Sequence, residues 1–336
     1  LKTVTILPSK HSFTVKQNES VLDAALRQGY SLSYGCRNGA CGSCVSKLIE
    51  GTVDYPHGVP PTLESNEHDK TATVLCQAIA LTDITIEAQE IAAINDIPVK
   101  TLPCRVTLIA HLTHDVIEMR LKLPVTERLQ FLAGQYLDFL LKDGRRRSFS
   151  IANTPHNDEY IELHIRHIQD GQFTGRVFDE IHEKDILRIE GPKGSFYLRE
   201  ESHRPAIMMA GGTGIAPIKA MVEYSLAANL SNPIHIYWGA ESLRDLYMHE
   251  ILLKWAENYE HIQYTPVLNN PKPDDNWTGR TGYVHLSIIE DYPDLSEYDL
   301  YGSGPPVMVY AGRDSFPGNG LDLKNYYSDA FEFQKD

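Results

Sequence analysis

Gly35-Cys36-Arg37-Asn38-Gly39-Ala40-Cys41-Gly42-Ser43-Cys44 is the stretch that decides how the chain begins. Its thiols follow a Cys-x4-Cys-x2-Cys spacing, and a fourth stands at Cys76. Four thiolates in this arrangement are a ligand set for a [2Fe–2S] cluster. The glycines allow tight turns and expose backbone N–H groups toward sulfur with no Cβ in the way. Two ferric ions, two sulfides and four thiolates carry a net charge of about −2, and such a centre needs those donors. Structural zinc is a poorer match, because its usual signature is two close pairs rather than a triplet and a distant partner. Cys36, Cys41, Cys44 and Cys76 are therefore the metal ligands expected from the sequence. Cys104, the fifth cysteine, reads as a packed core thiol.

Outward from that loop, residues 3–7 and 13–15 read as a strand pair. A short helix over 20–27 starts at a Ser20 cap and stops at Gly29. A strand at 45–50, then 71–80 and 84–88, complete a small domain over 1–90. Residues 91–101, with Pro98, read as a linker. From Cys104 the pattern changes to short strands at 104–110, 116–123, 136–141, 147–152, 160–167 and 186–190, which predict an antiparallel barrel or sandwich over 102–200. From 205, strands at 206–210, 234–238, 262–267 and 299–301 alternate with helices at 217–228, 244–258 and 282–290. That alternation predicts a parallel α/β sheet over 201–336.

Composition narrows the function. Lys and Arg total 31 against 45 Asp and Glu, a formal net charge of −14, which argues against nucleic acid or an anionic membrane as partner. No apolar run approaches membrane-spanning length. The opening LKTVTILPSKHSFTV alternates like a strand and has no signal-peptide core, so the expected location is cytoplasmic. Five cysteines are too few for a disulfide scaffold in 336 residues.

Two further constellations carry chemistry. Arg145-Arg146-Arg147-Ser148-Phe149-Ser150 runs from a cationic turn into a strand. A guanidinium fork suits a pyrophosphate, Phe149 can lie against an isoalloxazine face, and Ser150 can hydrogen-bond near its N5 edge. Gly171-Gln172-Phe173-Thr174 can present a helix N-terminus to the same pyrophosphate, with Arg166 as a flavin neighbour and His164 and His167 as surface or packing residues. Then Met208-Met209-Ala210-Gly211-Gly212-Thr213-Gly214-Ile215-Ala216-Pro217 is a strand running through glycines into a helix. Tyr301-Gly302-Ser303-Gly304-Pro305 ends a later strand of the same sheet. Two such turns at strand carboxyl ends predict one dinucleotide site. Beyond the second strand, Glu241 repels a 2′-phosphate and Arg244 can accept one, so NADH and NADPH both stand open.

On these residues the cluster loop resembles plant-type ferredoxins, and the remainder resembles the ferredoxin–NADP⁺ reductase superfamily. Through RRRSFSIAN (145–153), GGTGIAP (211–217) and Tyr327-Ser328-Asp329-Ala330-Phe331, the chain is similar to reductases of ring-hydroxylating oxygenases and to the CDP-6-deoxy-Δ3,4-glucoseen reductases. The resemblance implies a β-grasp ferredoxin domain, an antiparallel flavin barrel holding FAD, and a parallel α/β nicotinamide domain. It also implies hydride transfer from NADH or NADPH to FAD, with Gly304 and Pro305 walling the nicotinamide, and single electrons passing through the [2Fe–2S] cluster to an iron–sulfur dehydratase or oxygenase component. Residues around Asn38-Gly39-Ala40 form the expected exit surface. Phe331 reads equally as a cover over the flavin or as packing. The family's Arg-x-Tyr-Ser appears here with Phe149, and the Cys of its Cys-Gly turn is replaced by Ser303.

Overall fold

The computed structural model describes the chain except for residues 36, 41, 65–70, 89, 91–96, 158 and 333–336. The described chain divides into two units, Leu1–Pro98 and Val99–Asp336.

In the first unit β1 (Lys2–Leu7) and β2 (Ser12–Val15) form an antiparallel pair in which Val4, Ile6, Phe13 and Val15 point inward. Helix α1 (Val21–Arg27) is started by Ser20, whose Oγ accepts the Asp23 N–H at 3.0 Å, and is followed by Gly29 at φ +84°. After β3 (Val45–Glu50), β4 (Val53–Asp54), α2 (Pro61–Glu64), β5 (Ala72–Val74) and β6 (Ile79–Ala80), β7 (Ile84–Glu87) inserts parallel to β1. The sheet order is β2-β1-β7-β3-β5. One mixed sheet with one principal helix is a β-grasp.

The second unit opens with six antiparallel strands: β8 (Lys100–His111), β9 (Val116–Lys122), β10 (Tyr136–Leu140), β11 (Arg146–Ser150), β12 (Ile161–Arg166) and β13 (Ile186–Lys193). Their order is β11-β10-β13-β8-β9-β12. Ile151 pairs with Leu163 and the Ala152 N–H donates to the Glu162 carbonyl at 2.8 Å, which joins the two edge strands and closes a barrel. Helix α3 (Gln172–Asp179) sends Phe173 and Val177 into its core. Cys104 lies in that core, donating to the Leu187 carbonyl at 3.6 Å, and burial pushes its thiol up to about 12. At neutral pH it is an unreactive thiol.

The chain continues into six parallel strands: β14 (Ala206–Gly211), β15 (Ile234–Ala240), β16 (Ile262–Leu268), β17 (Arg280–Thr281), β18 (Asp299–Gly304) and β19 (Tyr326–Ala330). Their order is β17-β16-β15-β14-β18-β19. Every residue of β14 is buried, as an apolar strand covered on both faces requires. Helices α4 (Ile215–Ala227) and α5 (His249–Asn258) supply the apolar layer on one side, α6 (Val284–Asp291) and α7 (Pro306–Ser315) that on the other. The strand order reverses direction between β14 and β18, and that switch point locates the site.

Candidate active site

Cys44 and Cys76 are 3 % and 7 % exposed, and local hydrogen bonds bring their backbones together. The Leu75 N–H donates to the Cys44 carbonyl at 3.2 Å, while Gln77 and Ala78 close the turn after Cys76 on Val74. The N-terminus of α1 docks on the same turn, Val21 N–H on Ala78 and Leu22 N–H on Leu75. Thr62 Oγ1 donates to the Gly39 carbonyl at 2.6 Å, and Gln77 Nε2 to the Arg37 carbonyl at 2.8 Å. Gly39 and Gly42 have φ of +84° and +77°, where a Cβ is strained. Buried thiols on a loop pinned by its own carbonyls fit a thiolate-held cluster; Cys36 and Cys41 lie outside the described residues. Of the expected exit surface, Asn38 is exposed and Ala40 partly so, whereas Gly39 is buried between Pro60 and Gln77.

At the switch point the two glycine turns touch. A Cβ on Gly214 would stand 2.0 Å from the Ser303 carbonyl oxygen, and one on Gly304 2.5 Å from that of Gly211. Gly211 is equally confined by Met308 and Pro305. Gly212 (φ +52°) and Gly304 (φ +132°) adopt backbone open to glycine. Gly212, Thr213 and Gly214 form a single 3₁₀ turn into α4, with Pro217 in the first turn, where a missing N–H breaks no helical bond. The turn thus sets its backbone at a helix N-terminus, where N–H groups suit a pyrophosphate, with the Arg166 guanidinium over Gly212. Ser303 is completely buried, and its Oγ has no hydrogen-bond partner among the described residues.

The flavin-side motif divides in three. Arg145 bonds Asp143 and Gln172, tying β11 to the start of α3. Arg146 joins Glu190, which Lys193 also holds; burial works against the Glu190 charge, but Arg146 and Lys193 outweigh it and hold the carboxyl at about 2. Arg147 is half-buried on the same side of β11 as Phe149. The Phe149 and Phe173 ring centroids are 5.7 Å apart, so Gly171 and Thr174 lie beside the β11 motif. Thr174 Oγ1 accepts the Ile168 N–H at 3.1 Å, a bond that shapes the turn.

Ser150 crosses to the other module. It is buried, and its Oγ donates to Asp329 Oδ2 at 3.1 Å. Asp329 on β19 pairs in register with Ser303 on β18, and the next residues continue the link, the Phe331 N–H donating to the Gly304 carbonyl at 2.9 Å. One cradle therefore gathers Ser150, Gly211–Gly214, Ser303, Gly304 and Asp329. Sequence reasoning missed Asp329 as a site residue; its signal was the quoted Ser-Asp-Ala-Phe run. His164, read as a surface or packing residue, is packed: it is 7 % exposed and bonded on both ring nitrogens.

These domains and this site define an NAD(P)H-dependent flavin/iron–sulfur reductase. Residues 4–81 match the 2Fe-2S iron-sulfur cluster binding domain, 103–197 the oxidoreductase FAD-binding domain and 208–314 the oxidoreductase NAD-binding domain. The chain is 39 % identical over 328 residues to the CDP-6-deoxy-L-threo-D-glycero-4-hexulose-3-dehydrase reductase of Yersinia pestis, covering 98 % of each. It is 32 % identical to terephthalate 1,2-dioxygenase reductase component 1 of a Comamonas species, covering 98 % of this chain and 96 % of that one. The Amycolatopsis cytochrome P450 reductase GcoB superposes with a TM-score of 0.77 at 28 % identity, covering 98 % and 99 %. The chain belongs to the ferredoxin–NADP⁺ reductase superfamily, in the branch with a [2Fe–2S] domain ahead of the flavin and nicotinamide domains. Its cofactors are FAD and a [2Fe–2S] cluster, with a nicotinamide dinucleotide as electron source. Among the described residues no helix is long and apolar enough to cross a membrane.

Proposed function

We propose that this chain takes hydride from NADH and delivers single electrons to a cytoplasmic iron–sulfur dehydratase that works on a CDP-linked deoxy sugar. When bound, FAD and the cluster convert one hydride into two single-electron transfers. Arg147 and the α3 start, Gly171, Phe173 and Thr174, bind the FAD pyrophosphate; Phe149 borders the ring and Arg166 neighbours it. Ser150 lies at the reacting edge, its proton given to Asp329, so that its oxygen lone pairs are left to accept a hydrogen bond there. Gly211, Gly212, Thr213 and Gly214, with Pro217 behind them, admit the dinucleotide pyrophosphate to the α4 N-terminus. Gly304 and Pro305 wall the nicotinamide, Ser303 lies beneath it, and Phe331 covers the flavin until the nicotinamide arrives. Cys36, Cys41, Cys44 and Cys76 hold the cluster.

The observation that carries the reductase reading is the Ser150–Asp329 bond at 3.1 Å, because it ties the flavin strand to the strand beside the nicotinamide turn. For the partner, the support is the 39 % identity over nearly the whole chain to the Yersinia reductase. For NADH it is Glu241 beyond the end of β15, which accepts from Asn269 Nδ2 at 3.2 Å and repels a 2′-phosphate. Arg244 is 69 % exposed.

Anaerobic addition of NADH should bleach the flavin and cluster bands within seconds, and NADPH should do so far more slowly. A dehydratase supplied with its CDP-linked substrate should then accelerate steady-state NADH oxidation. A second reading, service to a ring-hydroxylating oxygenase, rests on the 32 % identity to the terephthalate dioxygenase component; acceleration by an oxygenase component and none by the dehydratase would establish it instead. Failure of NADH to bleach the reconstituted protein would defeat both.

A further inference from the structure

Glu162, His164 and Arg166 alternate along β12 and share one face of that strand. Each reaches a different part of the dinucleotide module. Glu162 Oε1 lies 3.2 Å from Lys219 Nζ on α4. His164 Nδ1 lies 3.1 Å from the Tyr247 hydroxyl, and its Nε2 is 3.0 Å from Glu162 Oε1. The Arg166 guanidinium covers Gly212, where an added Cβ would meet Nη1 at 2.8 Å, and its Nε faces Asp115 at 3.2 Å.

The contacts extend to both reacting partners' supports. Lys219 Nζ donates to the Ala152 carbonyl at 3.0 Å, two residues past Ser150, and pairs with Glu223 at 3.0 Å. Tyr247 stands edge-on to Trp238, with ring centroids 5.3 Å apart, and Trp238 Nε1 donates to the Gly212 carbonyl at 2.9 Å. An unbroken run of contacts thus leads from the strand carrying Ser150 to the glycine turn. Glu162 and His164 are 5 % and 7 % exposed. Burial alone raises the Glu162 carboxyl, but His164 and Lys219 outweigh it and hold it at about 2. An apolar interface of equal volume would be at least as stable as buried ions. What the ions add is direction, since each bond fixes one atom against another.

We propose that Glu162, His164 and Lys219 are positioning residues that hold the Ser150 strand against the Gly212 turn and thereby set the flavin-to-nicotinamide approach. This rests on the reductase reading above. In the holoenzyme, Lys219→Met should lower the limiting rate of NADH-driven flavin bleaching by about 10- to 100-fold, the scale of a 1 Å misplacement. The Kd for NADH should stay within about twofold, because no residue assigned to contact the dinucleotide is replaced. Amide hydrogen exchange should quicken at both 150–153 and 212–214. Lys219→Arg should restore most of the rate. The double variant Glu162→Gln/Lys219→Met removes one of the two carboxylates that Lys219 pairs with, so its thermal midpoint should recover in part while its rate stays low. A double variant that regains rate together with midpoint would show that the network only holds the fold, overturning the proposal. Exchange that quickens at one segment alone would overturn it too. A wild-type protein that NADH does not bleach would instead defeat the reductase reading, and this one with it.

Discussion

Gly214→Ala should disable this enzyme without touching any group that reacts. Gly214 has φ −59° and ψ −14°, a conformation open to every residue, so space alone demands glycine there. An added Cβ would stand 2.0 Å from the Ser303 carbonyl oxygen, 2.5 Å from its carbon and 2.8 Å from Gly304 Cα. All three are backbone atoms, so no side chain can swing aside. The turns must separate by about 1 Å, at a cost of about 1–3 kcal/mol of overpacking. For a unit of this size each kcal/mol lowers Tm by about 2–4 °C, giving a loss of about 2–12 °C. The same displacement moves Ser303 and Gly304 away from the dinucleotide turn, so flavin bleaching by NADH in a stopped-flow mixer should slow by about 100-fold. Gly175→Ala is the matched control: it lies within α3, nothing approaches its added Cβ within 4 Å, and the helix should gain up to about 1 kcal/mol. A Gly214→Ala protein with wild-type Tm and bleaching rate would refute the reasoning from close backbone approach.

Three further outcomes follow from the geometry. Cys76→Ala should abolish bound iron and the cluster's visible absorption while NADH still bleaches the flavin; retention of iron would remove Cys76 from the ligand set. Ser303→Cys should raise the limiting bleaching rate by about 5-fold, equivalent to about 1 kcal/mol, because a larger, more polarizable atom replaces a hydroxyl without a hydrogen-bond partner among the described residues; an unchanged single-turnover rate would mean this atom does not matter. Glu162 has a folded carboxyl at about 2 against an ordinary 4.5, so its contribution to stability is complete above pH about 4.5 and is lost as pH falls toward 2. Glu162→Gln should flatten that limb of an acid titration followed by near-ultraviolet circular dichroism, and an unaltered limb would contradict the assignment.

The parts that were legible in the sequence are those encoded by close neighbours. Cysteine spacing signals the 2Fe-2S domain that residues 4–81 match, and glycines set between a strand and a helix signal the two turns that meet at the switch point. Element ends with conflicting local signals differ from the sequence reading in both directions. β8 starts at Lys100 rather than 104 and so takes in Pro103. Its pairing explains the tolerance: Pro103 faces Arg188 on β13, while β9 joins β8 only from Arg105, so the missing N–H faces no partner strand. The helix read over 244–258 begins at His249, because Asp245 closes a capping box on Ser242 and spends the first residues in a 3₁₀ turn. Relations across long separations left no local trace. Ser150 and Asp329 are 179 positions apart, and His164 looks like an ordinary strand histidine until Tyr247, 83 positions on, arrives at its ring.

The cradle is assembled from four distant stretches of chain: the end of β11, the β14 turn, the β18 turn and the edge strand β19. Contacts of such sequence separation form late, after the cost of closing long loops has been met. Ser150 therefore lacks Asp329 in a chain that has completed the barrel but not yet β19. The bond that joins the two modules thus depends on β19, and under the proposed reading the flavin-side hydroxyl is oriented only once both modules have folded.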